Sequence, residues 1–528
     1  MPSNESLAPS SQPFKIPLEG ALTDTVSAMV EKEMEADTPP LRDLGRFTTT
    51  KFDDATTELI SKANIRNQAC VEEYPSIARF QQKCVSILAS LWNAPPTGYF
   101  GIATTGSSEA VLLGGLTMKR QWQLKSPNNP NPRPNVIIGA NAHICVNKFA
   151  DYFDVEARIV PVSDRTGFTV DAKAVRQKLD DNTGTTYTGH YDPIQSVSDM
   201  LDDYERQTRN SIPIHVDAAS GGFVAPFSLN NNSFIWDFRL PRVQSINSSG
   251  HKYGQAPMAV GWMIWREKGR IHQDLLLESS YLRGSHTNFS LSFSRSGGPV
   301  AGQYYNFHRL GMRGYREAAQ KTRERAQWLS TRLHDTGYFA CLSDHSLPIA
   351  SLGPKDRSPL CHDKGCTDAL AIPIVVFTFS NRFRELYPQV RLPAVSDAMH
   401  VLKLSIPSYT LGGWGAQGQN IDVMRVVVRD EITTELLEVV FSGLRDAVEN
   451  LIRIVRDEGK KKKREKSTHY LHCGEPAKPD KHQTLDVEAI AQETRALVKL
   501  AVLATRTCGH DLRARYWMAI TTNTPALS

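Results

Sequence analysis

Two short segments carry residue types that could do chemistry together. Ser248-Ser249-Gly250-His251-Lys252 puts a lysine behind a small, polar, flexible turn, where it can form a Schiff base with an aldehyde cofactor. Upstream, His215-Val216-Asp217-Ala218-Ala219-Ser220-Gly221-Gly222 ends the mostly apolar run from Ile212 to Val216 on an aspartate that can keep a pyridinium nitrogen protonated. A covalent anchor and an electron-sink partner are the two contacts pyridoxal phosphate needs from a protein. A third segment, Gly106-Ser107-Ser108-Glu109-Ala110, offers two hydroxyls and free backbone N–H groups at a helix N-terminus, a ready phosphate cradle. Taken singly, each has a plainer reading: serine is a common N-cap, Asp217 could be a structural cap, and Lys252 a surface lysine. Their order and spacing together suit one cofactor bridging all three.

The elements that must position these residues alternate. Spacing predicts helices over Leu22–Met34, stopped by Thr38-Pro39-Pro40, and over Tyr74–Trp92. A glycine-rich turn then enters a helix (Thr104–Met118), followed by a strand (Asn135–Ile138), a helix (Cys145–Phe153) and a strand (Glu156–Val162). Two helices (Asp171–Leu179, Ile194–Arg206) precede strands over Ile212–Val216 and Ser245–Asn247. Strands alternating with helices imply an α/β fold with a parallel sheet covered on both faces. A helix over Gly314–Thr336, strands over Ile372–Phe379 and Val423–Val428, and a helix over Thr433–Val455 form a smaller α+β region.

With 528 residues, 40% hydrophobic and 22% charged, the chain can bury a large core in two or three domains. Much of the net charge of +5 sits in Lys460–Lys463, Arg464 and Lys466, so the folded body is near neutral and nucleic-acid binding is not suggested. No apolar run approaches the roughly 18 to 20 residues that cross a bilayer. Met1–Pro13 is rich in Ser and Pro without an apolar signal core, which reads as a disordered start to a cytoplasmic protein. Eight scattered cysteines fit reduced thiols; Cys361, His362 and Cys366 lack zinc-site spacing and read as a loop, so no metal is expected.

The segments Thr105-Gly-Ser-Ser-Glu-Ala, Lys148-Phe-Ala-Asp-Tyr, Thr186-Tyr-Thr-Gly, Asp217-Ala-Ala-Ser-Gly-Gly-Phe, Trp236-Asp-Phe-Arg-Leu-Pro-Arg-Val and Ser249-Gly-His-Lys closely resemble the glutamate decarboxylases, group II pyridoxal-phosphate-dependent decarboxylases. The resemblance covers about residues 14–457. It implies the aspartate-aminotransferase-like fold, fold type I, with a mainly parallel seven-stranded sheet in the large domain, and a homodimer or larger homo-oligomer with sites between subunits. It divides the chain into an N-terminal arm (1–60), a large cofactor-binding domain (61–310), a small C-terminal domain (311–457) and a basic tail (458–528). By position, Lys252 is the Schiff-base lysine, His251 its neighbour on the phosphate, and Asp217 the partner of the pyridine nitrogen. Ala219 packs beneath the ring. Ser107, Ser108 and Ser249 hold the phosphate, with Ser294 contributed to the neighbouring subunit's site. Thr186 touches the cofactor's edge, and His143 stacks over the ring where close bacterial relatives have Gln and aromatic amino-acid decarboxylases have His. Tyr281 falls on the mobile lid as a candidate proton donor, and Arg425 grips the substrate α-carboxylate.

Three departures stand out. Where the family usually reads Asn-Leu-Ala-Thr-Phe, this chain has Asp43-Leu44-Gly45-Arg46-Phe47; where it reads Asn-x-x-Asp, this chain has Asn67-Gln68-Ala69-Cys70. Arg46 and Cys70 thus replace two contacts to the distal carboxylate. One reading is drift, with Arg46 pointing to water. The other is a longer bidentate fork suited to a shorter acid, aspartate, decarboxylated to β-alanine. Third, Asp181-Asn182-Thr183 runs directly into Gly184-Thr185-Thr186, so about five to seven residues, one strand's worth, are expected to be missing from the middle of the sheet.

The sequence therefore implies an acidic amino-acid α-decarboxylase acting on glutamate or aspartate. The competing reading is a catalytically silent relative serving as a binding or subunit protein. Residues 485–518 hold an apolar-basic helix candidate of the kind calmodulin binds, and Lys460–Lys466 reads as a solvated run before nuclear import.

Overall fold

The computed structural model describes residues 15–125, 133–162, 166, 169–180, 183–187, 191–228, 234–279, 286–343, 372–411 and 420–470. Helix α1 (Thr23–Met34) forms where Val26, Met29 and Val30 recur at helical spacing, yet none of its residues is buried. After Pro39-Pro40 the arm threads inward. Leu44 is completely buried in the C-terminal core, its N–H donating to Ser405 O (2.9 Å) and its carbonyl accepting from Val427 N–H (2.7 Å). That one side chain contributes about 2 kcal/mol of burial. A buried ion pair, Arg429 Nε to Glu431 Oε1 at 2.8 Å, clamps the same stretch: Arg429 donates to the carbonyls of Asp43 and Arg46, and Thr50 N–H donates to Glu431.

Helix α2 (Asp54–Asn64) is capped by Asp53, which accepts from Thr56 N–H, and α3 (Pro75–Leu91) buries Ile77, Cys84, Val85, Leu88 and Ala89 on one face. There follow β1 (Phe100–Thr104), α4 (Ser107–Lys125), β2 (Asn135–Gly139), α5 (Ile144–Tyr152), β3 (Glu156–Val160), α6 (Ala172–Arg176), β4 (Thr183–Tyr187), α7 (Ile194–Thr208), β5 (Ile214–Asp217), α8 (Ala225–Ser228), β6 (Val243–Ser249) and β7 (Gly261–Trp265). These strands form one seven-stranded sheet ordered β1-β7-β6-β5-β4-β2-β3, parallel except for β7, which is antiparallel to both neighbours. β2 and β7 are buried along their whole lengths, as strands covered on both faces must be. The sequence reading had neither β1 nor β7, because Gly261-Trp-Met-Ile-Trp265 lacks the alternation that marks a strand exposed on one side.

The expected gap in this sheet is not there. β4 lies between β2 and β5, in register from Asn135↔Thr183 to Ile138↔Thr186 on one side and from Thr185↔Ile214 to Tyr187↔Val216 on the other. Threonine and tyrosine favour a pleated backbone, so the segment expected to follow a lost strand forms the strand itself.

A short antiparallel pair, β8 (Leu277–Ser279) and β9 (His286–Asn288), precedes α9 (Gly298–Asp335). The sequence placed this helix from Gly314. The structure adds an earlier rod joined at Gly311, whose φ of 58° suits glycine and bends the helix there. Beyond it lie β10 (Phe339–Cys341), β11 (Ile374–Phe379), α10 (Asn381–Leu386), α11 (Leu392–Val401), β12 (Ser408–Leu411), β13 (Ile421–Val427) and α12 (Thr434–Tyr470). Their antiparallel sheet, ordered β10-β11-β13-β12, packs Val375, Phe377, Met424 and Val426 against α9, α11 and α12. α12 continues past Val455, where the sequence reading ended it, because Lys, Arg and Glu are good helix formers. No helix among the described residues is long and apolar enough to cross a membrane.

Two stability predictions follow from these placements. Thr185→Pro, in a strand paired on both sides, should cost at least about 2 kcal/mol in urea unfolding; a silent substitution would mean β4 is not integral to the sheet. Glu431→Ala leaves Arg429 buried without its carboxylate and should cost about 3 to 5 kcal/mol, with protease cleavage appearing within residues 43–50.

Candidate active site

The carboxyl ends of β5 and β6 and the N-terminus of α4 converge. β5 ends on Asp217, a buried carboxylate whose Oδ1 accepts from Ala219 N–H (3.1 Å) and from Asn247 Nδ2 (2.9 Å). β6 ends on Ser249, whose hydroxyl donates to Ser107 Oγ at 2.7 Å, joining the strand end to the first turn of α4. This junction needs glycine: a Cβ on Gly261 would lie 2.4 Å from the backbone of Gly106. His251 packs against the same turn, its Cε1 3.4 Å from where a Gly106 Cβ would stand, while its Nδ1 meets Val260 O at 2.9 Å. Ser108 is exposed one residue further on and hydrogen-bonds the Cys145 thiol.

Lys252 follows on the turn after β6. The arm supplies its neighbour: Phe47 lies 4.9 Å from Lys252 Nζ and 5.1 Å from the Arg425 guanidinium carbon, a ring between two cations. Arg425, on β13, donates to Gly45 O (2.9 Å), an approach possible because a Cβ at Gly45 would collide with Pro407. Its Nε is buried and has no hydrogen-bond partner among the described residues. His143 caps α5, its Nδ1 accepting from Cys145 N–H (3.2 Å), which leaves the neutral ring's proton on Nε2.

Burial pushes the Lys252 ammonium below the ordinary lysine range, opposed by Asp217, which eases loss of the proton that a Schiff base requires. Burial likewise lowers His143, His215 and His251. For His143, although it is exposed, the surrounding protein disfavours the charged ring, and Lys252 and Arg425 act in the same direction against Asp217. Burial raises the Cys145 thiol to about 12, which keeps it protonated.

Of the residues singled out in the sequence, Lys252, Asp217, Ala219, Ser107, Ser108, Ser249, His251, His143, Arg425 and Phe47 gather here. Thr186 lies on β4 in register with His215. Asn67 and Cys70 stand in a separate group: Asn67 Oδ1 accepts from Arg295 N–H, its Nδ2 donates to Ser294 Oγ (3.2 Å), and Cys70 N–H donates to Asn67 O. Arg46 is 79% exposed at its side chain and paired with Asp43 at 2.9 Å, an outward position in this chain. Tyr281, the Cys361–Cys366 loop and residues 485–518 lie outside the described residues. Sequence reasoning missed Ser245 and Asn247 and gave His215 no role. Their signal was the period-two spacing His215/Asp217 opposite Ser245/Asn247/Ser249.

A lysine whose charge burial disfavours, a buried carboxylate held by two donors, a hydroxyl cluster at a helix N-terminus and a half-buried guanidinium whose Nε has no partner among the described residues match what pyridoxal phosphate and an amino-acid substrate require. Fold and site together define a pyridoxal-phosphate-dependent enzyme of fold type I. Residues 47–352 match the pyridoxal-dependent decarboxylase conserved domain. Saccharomyces cerevisiae glutamate decarboxylase is 32% identical over 507 residues, covering 90% of this chain and 84% of that protein. Aliivibrio fischeri glutamate decarboxylase is 38% identical over 353 residues, 65% of this chain and 75% of that one. The solved glutamate decarboxylase of Lactobacillus brevis superposes with a TM-score of 0.73 at 29% identity, covering 85% of this chain and 97% of that one. A Burkholderia pseudomallei sphingosine-1-phosphate lyase shares the fold at 19% identity and a TM-score of 0.64, over 90% of this chain and 100% of that one. The chain belongs to the glutamate decarboxylase family, and it is a carboxy-lyase.

The depressed histidines set a pH dependence. Folded, His215 and His251 bind fewer protons than they do unfolded, so their stability contribution is complete above the ordinary value of 6.5 and is lost as the pH falls below it. The melting temperature should therefore drop between about pH 8 and about pH 5; a flat or rising curve would contradict this burial.

Proposed function

We propose that this chain catalyses α-decarboxylation of an acidic L-amino acid, with L-glutamate converted to 4-aminobutyrate and CO2. The observation that carries this is the convergence of half-buried Lys252, buried Asp217 and half-buried Arg425 in a chain whose relatives are named glutamate decarboxylases. Pyridoxal phosphate, when bound, supplies an electron sink for the pair left behind as the carboxylate departs.

The chain's own residues do the rest. Lys252 would hold the cofactor through its amine, and Asp217, held by the donors of Ala219 and Asn247, would set a negative charge against the pyridine nitrogen. Ser107, Ser108, Ser249 and His251 would hold the phosphate at the N-terminus of α4, where the helix dipole favours an anion. His143 and Ala219 would contact the cofactor ring, and Thr186 is the residue that would meet its edge. Arg425 fixes the substrate α-carboxylate, and Phe47 shields it from water, so the scissile bond stays oriented in a low-dielectric site. Tyr281 delivers the proton that replaces the carboxylate at Cα.

L-aspartate is the competing substrate, because this chain departs from the family at Arg46 and Cys70 and keeps Asn67 between them. Glutamate is placed first because Arg46 is engaged with Asp43 at the surface. The exposed apolar stripe of α1 and the exposed Ser294 support a homodimer or larger assembly in which each subunit lends residues to its neighbour's site. The described residues lend no support to calmodulin binding, since that segment lies outside them.

The test is product formation from each acid by the purified, cofactor-loaded protein. Glutamate turnover should exceed aspartate turnover, and the reverse order would reassign the substrate. Lys252→Ala should abolish both the visible colour of the bound cofactor and turnover. Arg425→Ala should lower kcat/KM about 100-fold. A colourless, inert wild-type protein would favour the catalytically silent reading.

A further inference from the structure

Strands β5 and β6 carry a row of polar side chains sealed from solvent. His215 is 3% exposed, Ser245 and Asn247 are fully buried, and the row ends at Asp217. Register pairs His215 with Ser245 and Asp217 with Asn247, and the two-residue alternation of strands puts all four on one face. His215 Nδ1 is 2.8 Å from Ser245 Oγ, and its Nε2 is 2.8 Å from Asn247 Oδ1. Asn247 Nδ2 donates to Asp217 Oδ1 at 2.9 Å.

The direction of every bond follows from the last. A carboxylate only accepts, so Asn247 must present its NH2 to Asp217 and its carbonyl to His215. A carbonyl also only accepts, so the proton of the imidazole sits on Nε2. Burial keeps the ring neutral, which makes Nδ1 an acceptor and the Ser245 hydroxyl its donor. The space around the ring is tailored to it from α4: a Cβ on Gly114 would stand 3.1 Å from His215 Cε1 and 3.2 Å from Nδ1.

We propose that His215 is a positioning residue for the cofactor-binding carboxylate. Its Nε2–H locks the Asn247 amide in the one orientation that donates to Asp217, and so fixes how Asp217 faces the ring nitrogen. This rests on the assignment of Asp217 to that nitrogen. Without the imidazole donor, the Asn247 amide is free to turn its oxygen toward Asp217, setting two acceptors against each other.

The experiment compares His215→Leu, which removes the donor, with His215→Gln, which places an amide N–H where Nε2–H lies. Affinity for pyridoxal phosphate is read from tryptophan fluorescence of cofactor-free protein, alongside kcat, KM and circular-dichroism melting. His215→Leu should weaken cofactor affinity about tenfold or more and lower kcat while leaving the substrate KM within about twofold; His215→Gln should restore most of both. Equal affinity in the two folded variants, or wild-type affinity in His215→Leu, overturns the proposal. Should the leucine variant not fold, His215→Asn, whose N–H falls on the Ser245 side, replaces it: it should bind more weakly than His215→Gln, and equality again overturns the proposal. Asp217→Ala separates the two levels. If it leaves cofactor affinity unchanged, the assignment of Asp217 fails; if it weakens affinity while His215→Leu does not, only the role of His215 fails.

Discussion

The parallel pairing of β5 with β6 is the constraint on which the site depends. It sets Asp217 opposite Asn247 and brings Ser249 N–H to Ala219 O, so the two strand ends open onto a common crevice. Ligands of open α/β sheets bind outside the carboxyl ends of the strands, and here Lys252 and the first turn of α4 close on that crevice from either side. β4 matters for the same reason. Neighbouring strands are about 4.8 Å apart, so a sheet lacking β4 would shift β2, α5 and His143 sideways by that much relative to Asp217. The five residues Thr183–Tyr187 hold the spacing with a minimum of pairing.

The placement of the anchoring candidates was legible because it is local. Lys252 follows its own turn, Asp217 ends its own strand, and Ser107 opens its own helix, so short segments were enough to nominate them. The buried helices were legible for the same reason: the spacing of Ile77, Cys84 and Leu88 repeats with the helical period. What escaped reading depends on partners distant in sequence. β7 is apolar on both faces, so it carries no alternation, and its status as a strand comes from lying between β1 and β6. The shortened strand β4 was hidden by comparison with a longer pattern, although its own Thr-rich composition suits a strand.

The pocket departures illustrate the same limit. Substitution alone left Arg46 either an anion fork or a surface residue. In this structure it pairs with Asp43, three residues earlier, while Arg429 holds the carbonyls of both residues from the C-terminal domain. Gly45 is informative only beside Pro407, and Phe47 only between Lys252 and Arg425. Charges buried here are rarely alone: Glu431 accompanies Arg429, Asp202 and Glu205 hold Arg242, and Asp237 holds Arg239. The half-buried guanidinium of Arg425 is instead stacked on rings, its Nε without a partner among the described residues, as a group reserved for a visiting anion would be.

The arm also imposes an order on the birth of the molecule. Gly45 accepts from Arg425 across 380 residues, and Leu44 is held by Val427. Synthesis proceeds from the N-terminus, so the segment carrying Phe47 leaves the ribosome long before β13 exists to receive it. Contacts this distant along the chain form late, because the intervening loop must close first. The sheet and its lysine can therefore assemble while the wall of the site is still a loose strand, and the first residues made are among the last to find their place.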